Sequence, residues 1–479
     1  MKHSPAAVTD PPALTAATKK AYWRLVPLTM LMFVVNYIDR VNIGFAKDAL
    51  ESDSGIGAAA YGLGAGLFFV TYAVFEIPSN ILLERYGAKF WLTRIMISWG
   101  LVSALMMFAH NETVFYALRM ALGVAEAGFF AGVIFYFTQW FPNATRGRAN
   151  AALFSASALA AVIAGPLSGA LLSMDDTLGL HGWQWMFLIE GLAAVVIGLV
   201  VWTRLVSHPS DAPWLSDEEK TALIDRLAAE EAERVATKTD KAPSRWSMLR
   251  DPQMLLFCFV YFAAQLAQYA VTFWLPDFVR DIGGLSEFTI GVISVVPFAV
   301  AFFAVLAAGQ ISDRTGLRRT VLGSGFVLAA VGLTAAALAS PVPAVVMLIV
   351  ATIGFKVAAS SFYVIPQQYL VGAMVAPGIA LINSVGNLGG FVAPTLLGQV
   401  ESRTGSVDNA LLIVAVICLV ALAGCALMRY QAGAQDTDQH ADPTGTGTGT
   451  GMSASAGTGT GSEPDLPAAG PGRTVGNSG

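Results

Sequence analysis

The chain has 479 residues, of which 55% are hydrophobic and only 13% charged, and its formal net charge is -5. A water-soluble fold of this size needs far more charge to cover its surface, so the balance excludes one. The small negative charge also argues against a nucleic-acid partner. Cys258, Cys418 and Cys425 fall inside apolar runs without paired spacing. Buried, inert thiols are therefore expected rather than a disulfide framework or a zinc site, and no cofactor or metal is expected.

Residues 1–20 are polar and contain proline, with no apolar stretch for a cleavable signal, so the first membrane helix is expected to direct insertion. A bilayer core of about 30 Å needs about 20 apolar residues per helix. Such runs are predicted at 25–46, 61–83, 90–109, 114–137, 149–173 and 185–206. Six more are predicted at 254–278, 288–311, 320–339, 342–365, 373–399 and 410–428. The expected fold is an all-α membrane protein of twelve transmembrane helices in two six-helix halves. Its predicted segments are a tail 1–24, a half 25–206, a linker 207–252, a half 253–430 and a tail 431–479. In the linker, Ser216 followed by Glu219 is a capping-box pattern, opening an exposed helix over 217–236. The Gly/Thr-rich tail from 431 cannot bury enough surface to fold and reads as disordered.

Basic residues choose the orientation. Lys19, Lys20, Arg24, Arg85, Lys89, Arg146, Arg148, seven Lys and Arg of the linker, Arg314, Arg318 and Arg319 lie on one side. The opposite connections hold little beyond Lys47, Arg280 and Arg403. Both termini and the linker are predicted to be cytoplasmic.

An internal repeat supports two halves. Asn80, Glu84, Arg85, Gly87 and Lys89 follow the second run, and Gly309, Asp313, Arg314, Gly316 and Arg318 follow the eighth at the same spacing. The segment 309–319 resembles the cytoplasmic loop signature of the major facilitator superfamily. The segment 80–89 is its degenerate copy, with Asn80 for Gly and Glu84 for Asp. Further strings resemble the anion:cation symporter family: NYIDRVNIGFA at 36–46, FEIPSN at 75–80, RMALGVAEAG at 119–128, GWQWMFLIEG at 182–191 and NSVGN at 383–387. The likeness runs from about Tyr22 to Met428 and implies two halves rocking around a central site. It also implies a small organic anion as substrate, such as tartrate, phthalate or a sugar acid, in a bacterial inner membrane. The predicted partners are that anion, a proton and the bilayer, with the protein acting as a monomer and not as an enzyme.

Ionisable groups inside a bilayer face a cavity or a partner. Asp39, Arg40 and Arg119 are expected at one depth and Glu126 near the midplane. Neighbouring helix residues point about 100° apart, so Asp39 is predicted to pair with Arg119 while Arg40 points to the substrate carboxylate. Arg119 and Glu126, two turns apart, would let Arg119 switch between the two acids as a proton comes and goes. The alternative is a static lock between the first and fourth helices. Tyr37, Tyr72, Gln265, Gln268 and Tyr269 are further polar groups set in apolar runs, either lining the site or packing. The resemblance draws Asn383 and Asn387 toward the cavity as well. Lys356 is predicted to snorkel to the cytoplasmic edge, with a second substrate cation as the sharper alternative. Glu84, Arg85, Asp313 and Arg314 are read as gating elements, and Glu76 near Pro78 as a buried paired acid beside a kink.

Two other functions compete. Gly165-Pro166-Leu167-Ser168-Gly169-Ala170 partly resembles the superfamily's antiporter signature, departing at Ala170, which would make the chain a proton-driven exporter. A membrane sensor on a transporter fold would need a signalling domain, for which linker and tail are short. Sodium in place of the proton stays open at this level.

Overall fold

The computed structural model describes residues 11–236, 250–370 and 375–428. The predicted tail at 431–479, linker residues 237–249 and the start of the run predicted from 373 lie outside the described residues. Twelve described helices are long and apolar enough to cross a membrane. Spans 1–6 are Pro12–Gly44, Ala58–Tyr86, Ala88–Phe108, Glu112–Thr138, Asn143–Leu172 and Gly182–Arg204. Spans 7–12 are Pro252–Arg280, Glu287–Ser312, Arg318–Leu338, Pro341–Gln367, Gly378–Thr404 and Asp408–Leu427. Helices satisfy every backbone group internally, which hydrocarbon demands. Large apolar side chains such as Val196, Leu199 and Phe303 remain exposed on the outside of the bundle, as a lipid-facing surface requires.

Local chemistry sets the helix ends. Asn111 Oδ1 accepts from Val114 N at 3.0 Å, and Ser286 Oγ accepts from Thr289 N at 3.2 Å, capping spans 4 and 8. The linker helix, Asp217–Ala236, begins with the predicted reciprocal cap: Ser216 N donates to Glu219 at 2.9 Å and Glu219 N to Ser216 Oγ at 3.2 Å. Both repeated loops turn on a glycine with positive φ, Gly87 at 82° and Gly316 at 68°.

Lys20 at the start of span 1 donates to Glu219 of the linker helix at 2.8 Å, and Gln253 of span 7 donates to the Leu427 carbonyl at 3.3 Å. These contacts mark one end of the bundle, here the terminal end. At the opposite, sealed end the halves cross with little between their backbones. A Cβ on Gly62 of span 2 would strike the Pro394 carbonyl of span 11, and one on Gly165 of span 5 the Gly291 carbonyl of span 8. Small residues permit this approach. The antiporter-like string in span 5 thus has a packing role: Gly165 and Gly169 both seat span 5 against span 8.

Span 4 is not the continuous helix predicted. It breaks after Glu126 and resumes as Phe129–Thr138. Gly128 takes φ +83°, where a Cβ is penalised, and it faces Ser79 of span 2, whose Oγ would lie 2.6 Å from that Cβ. Spans 10 and 11 are interrupted more mildly, at Tyr363 and Leu388, which both keep right-handed helical angles. Gly128→Ala is expected to destabilise the detergent-solubilised protein by about 1–2 kcal/mol. Gly147→Ala, in an open helical position, should match or exceed wild type. Equal thermal midpoints for both variants would show that the left-handed break carries no cost.

Candidate functional site

On the N-terminal side of the boundary between the halves stands a charged pair, with two further ionisable groups held by uncharged partners. Arg40 of span 1 forms an ion pair and hydrogen bond with Glu126, at the end of the first segment of span 4. The Glu126 side chain is fully buried, and Arg40 keeps 23% exposure. The guanidinium lies over two span 2 rings, 5.4 Å from the Phe68 centroid and 5.2 Å from that of Tyr72. The hydroxyls of Tyr72 and of Tyr269, in the other half, face it too. The break in span 4 puts Glu126 where a helix ends, next to a backbone that turns away.

The predicted Asp39–Arg119 pair is not formed. Asp39 instead accepts a hydrogen bond from Ser103 of span 3. Arg119 donates to the carbonyls of Gly64 and Ala65, at 3.4 and 3.5 Å, and lies 5.0 Å from the Phe68 centroid. Phe68 is thus bracketed by two guanidinium groups. The correction has a steric origin. Gly64 lets the Phe115 ring, one turn before Arg119, pack directly on span 2, and Arg119 meets the neutral carbonyls of Gly64 and Ala65 there instead of an acid. It remains within electrostatic reach of both Asp39 and Glu126. Asp39 Oδ2, Glu126 Oε2 and Arg40 Nε are buried without a hydrogen-bond partner among the described residues.

The other predicted residues distribute around this centre. Tyr37, half-buried, lines a cavity between spans 1, 5, 7 and 8 together with Thr272, Ser294 and Phe298. Gln268 accepts from Lys356 Nζ at 3.2 Å. Lys356 therefore does not snorkel to the membrane edge: its ammonium is held at the middle of span 7. Gln265 is buried where Gly389 lets span 11 approach span 7. Asn383 accepts from the Tyr363 hydroxyl at 3.4 Å, at the break in span 10, and Asn387 ends the first segment of span 11, half-buried. Glu84, Arg85 and Arg314 are exposed at the terminal end. The Asp313 side chain lies outside the described residues.

Sequence reasoning missed two groups. Glu190 of span 6 is 4% exposed and accepts from Asn42 Nδ2 at 2.8 Å and Ser168 Oγ at 2.9 Å, joining spans 1, 5 and 6. It stood inside a quoted family string without a role. The second is an ionic cluster across the sealed end. Lys47, just past span 1 and 3% exposed, contacts Asp277 of span 7 at 2.8 Å and Glu401 of span 11 at 2.7 Å. Arg280 reaches back to Asp48 at 2.9 Å and to Glu287 at 2.9 Å, while Trp274 Nε1 donates to Glu401 at 2.7 Å. Burial alone pulls the Lys47 ammonium down, yet Asp277 and Glu401 outweigh it and hold its pKa above the ordinary lysine value. In sequence these residues are merely scarce charges at the ends of runs. Only the fold brings one lysine against acids more than 200 residues away. Elsewhere, the exposed Asp175, Asp176 and His181 bring ligand-type atoms within 4.8 Å of one another in the connection after span 5, a grouping the spacing had not suggested.

Removing one partner of a buried ion pair leaves the other charge uncompensated, at a cost of about 3–5 kcal/mol. Arg40→Leu and Glu126→Gln should each lower thermal stability, Arg40→Leu more, because it strands a fully buried carboxylate. The double variant should recover part of that loss. Strictly additive losses would mean the two side chains are not coupled.

The sequence profile of the Major Facilitator Superfamily matches residues 29–394 and 284–458. The chain is 41% identical over 407 residues to a protein of Agrobacterium vitis named "Putative tartrate transporter", covering 85% of this chain and 93% of that one. It is 39% identical over 401 residues to a "Quinolone resistance transporter" of Acinetobacter baumannii, covering 84% and 92%. The crystal structure of a bacterial homologue of the human lysosomal transporter Spinster, in an inward-facing and occupied conformation, aligns with a TM-score of 0.69 at 16% identity, covering 84% of this chain and 96% of that one. With a twelve-helix fold, two repeated loops and relatives at this identity over nearly their whole length, the chain belongs to the Major Facilitator Superfamily and is a membrane transporter, not an enzyme.

Proposed function

We propose that the protein imports a small organic carboxylate together with a proton across a bacterial inner membrane, with both termini cytoplasmic. The observation that carries this is the Arg40–Glu126 pair at the boundary between the halves, with the hydroxyl of Tyr269 meeting the same guanidinium from the far side. A planar guanidinium binds a carboxylate through two parallel bonds. The substrate's carboxylate and that of Glu126 compete for Arg40. A proton on Glu126 settles the competition in favour of the substrate, and its loss returns Arg40 to Glu126 and expels the anion. Asp39, held by a neutral hydroxyl, is a second proton acceptor in reach of Arg119. The relative named for tartrate favours a carboxylate cargo.

The basic residues of the terminal end favour its being cytoplasmic. The sealed end is then periplasmic, and the Lys47 cluster is the outer gate of an inward-facing state. Opening outward requires Lys47 to leave Asp277 and Glu401, and Arg280 to leave Asp48. Asp48 and Glu287 are 45% and 35% exposed, so water can solvate these charges as they separate, while the buried Lys47 holds the gate shut until water reaches it.

A second reading, drug export driven by proton entry, is favoured by the quinolone-resistance relative and the span 5 string. Labelled tartrate uptake into proteoliposomes, with and without an imposed inward proton gradient, discriminates: gradient-driven accumulation is expected. A gradient that instead drives efflux of fluoroquinolones, with no carboxylate movement, would replace this reading with the second.

Two variants probe the mechanism. Glu126→Gln should abolish gradient-driven accumulation yet retain substrate counterflow; accumulation at the wild-type level would remove Glu126 from coupling. Lys47→Met should raise labelling of a cysteine placed at Ser294, below the gate, by a membrane-impermeant maleimide added outside, in a background lacking the three native cysteines. Unchanged labelling would mean that the cluster does not hold the gate shut.

A further inference from the structure

Lys356 is a cation inside the membrane whose partner is neutral. Its ammonium donates to Gln268 Oε1 at 3.2 Å and lies 5.9 Å from the Phe298 centroid. No carboxylate among the described residues lies within 4 Å of it. An amide offsets only part of the cost of taking an ammonium out of water, so an anion has reason to bind there. The Phe298 ring beside it lines the cavity between the halves. Phe298 shares a cavity wall with Tyr37 and Thr272, and the Thr272 hydroxyl donates to the Gln268 carbonyl at 2.7 Å. Gln268 is followed directly by Tyr269, which faces Arg40. Adjacent residues of span 7 thus carry the contacts of both bases, Gln268 with Lys356 and Tyr269 with Arg40.

The internal repeat strengthens this. Asn80 and Gly309, Glu84 and Asp313, and Gly87 and Gly316 are each 229 residues apart (309 minus 80, and so on). The same offset sets Gln268 on Asp39, Tyr269 on Arg40, and Lys356 on Ala127, the neighbour of Glu126. The Gln268–Lys356 contact between spans 7 and 10 is thus the repeat counterpart of the Arg40–Glu126 contact between spans 1 and 4, displaced by one residue. Its charge pattern is changed. In the N-terminal half span 1 supplies the base and span 4 the acid. In the C-terminal half span 10 supplies the base and no acid answers it. A base without its acid at a two-fold related position leaves room for the acid to come from the cargo.

We infer that Lys356 holds the second carboxylate of a dicarboxylate whose first is held by Arg40, with Gln268 as the resting partner that the substrate displaces. The inference rests on the reading that the central cavity takes a carboxylate, and it narrows the cargo to dianions with one charge for each half. It makes Lys356 a specificity-determining residue, where a packing role would only tie span 7 to span 10.

The test compares tartrate with its monoamide, in which one carboxylate becomes a neutral group of similar shape, using competition for labelled tartrate uptake in proteoliposomes of the full chain. Wild type should prefer tartrate. In Lys356→Gln the ratio of the two affinities should fall by about tenfold to a hundredfold, the range of a hydrogen bond to a charged group, and Lys356→Arg should restore most of it. Thermal midpoints of all three proteins identify any loss due to misfolding, and the Lys356→Arg ratio then decides the matter alone. A Lys356→Gln variant that weakens tartrate and monoamide equally, or neither, overturns the inference while leaving carboxylate transport standing. A wild type that moves neither compound, nor any monocarboxylate, overturns the transport reading and this inference together.

Discussion

A guanidinium in hydrocarbon has very few acceptable partners, and the rest of this structure is arranged around that limit. Stranding either member of a buried pair costs several kcal/mol, so Arg40 must exchange Glu126 for another anion without a bare intermediate. Three neighbours soften the exchange. The Phe68 and Tyr72 rings lie against the cation, and the hydroxyl of Tyr269 faces it from the opposite half. In the proposed mechanism a proton arriving on Glu126 as the pair opens would remove the remaining cost, because a neutral carboxyl needs no counter-charge. Coupling is then a consequence of electrostatics in a low-dielectric space and requires no separate device.

The same limit on buried charge bears on the sealed end. At the sealed end, spans 2 and 11 and spans 5 and 8 touch through glycines whose Cβ positions are occupied by the facing backbone. Such surfaces separate as rigid bodies, with few side chains to reorder. Charges are laid over them: Lys47 between Asp277 and Glu401, and Arg280 between Asp48 and Glu287. Beneath this layer Phe69 packs on Tyr269 at 4.6 Å between ring centroids, so the ring that joins the halves there also carries a hydroxyl facing Arg40. Substrate binding at Arg40 and closure above it are therefore mechanically adjacent.

Much of the architecture was legible in sequence because hydrocarbon imposes it. Twelve apolar runs became twelve spans whose ends mostly differ by a few residues, the Ser216–Glu219 cap formed, and the repeated loops both turn on their glycines. The larger misses have a common cause. Helix length and hydropathy do not register a break that keeps the run apolar, so the turn at Gly128 was invisible although it positions Glu126. Depth along a helix was readable from residue counts, but azimuth around it was not. Asp39, Arg40, Arg119 and Glu126 were correctly gathered into one region and wrongly paired, since the choice between Ser103, the carbonyls of Gly64 and Ala65, and an acid depends on how spans 2 and 3 are rotated. Lys47 was hardest of all. Its partners lie 230 and 354 residues away (277 minus 47, and 401 minus 47) in the other half, and no local pattern relates them.

Repetition and divergence together define how such a bundle works. Two halves built on one plan give two surfaces that can rock about a shared centre, which accounts for the equal spacing of the loops and the paired crossings at the sealed end. A perfectly symmetric interior would have no reason to bind a cargo differently from either side. Here the N-terminal half keeps an acid in contact with Arg40 and within electrostatic reach of Arg119, while among the described residues the C-terminal half sets amides, hydroxyls and the Lys356 ammonium at its centre. In the proposed cycle the proton acts in the N-terminal half and the C-terminal half keeps its chemistry. That division would let the proton alter affinity at Arg40 alone, so that the anion loosens at one end first and leaves by the gate open at that moment.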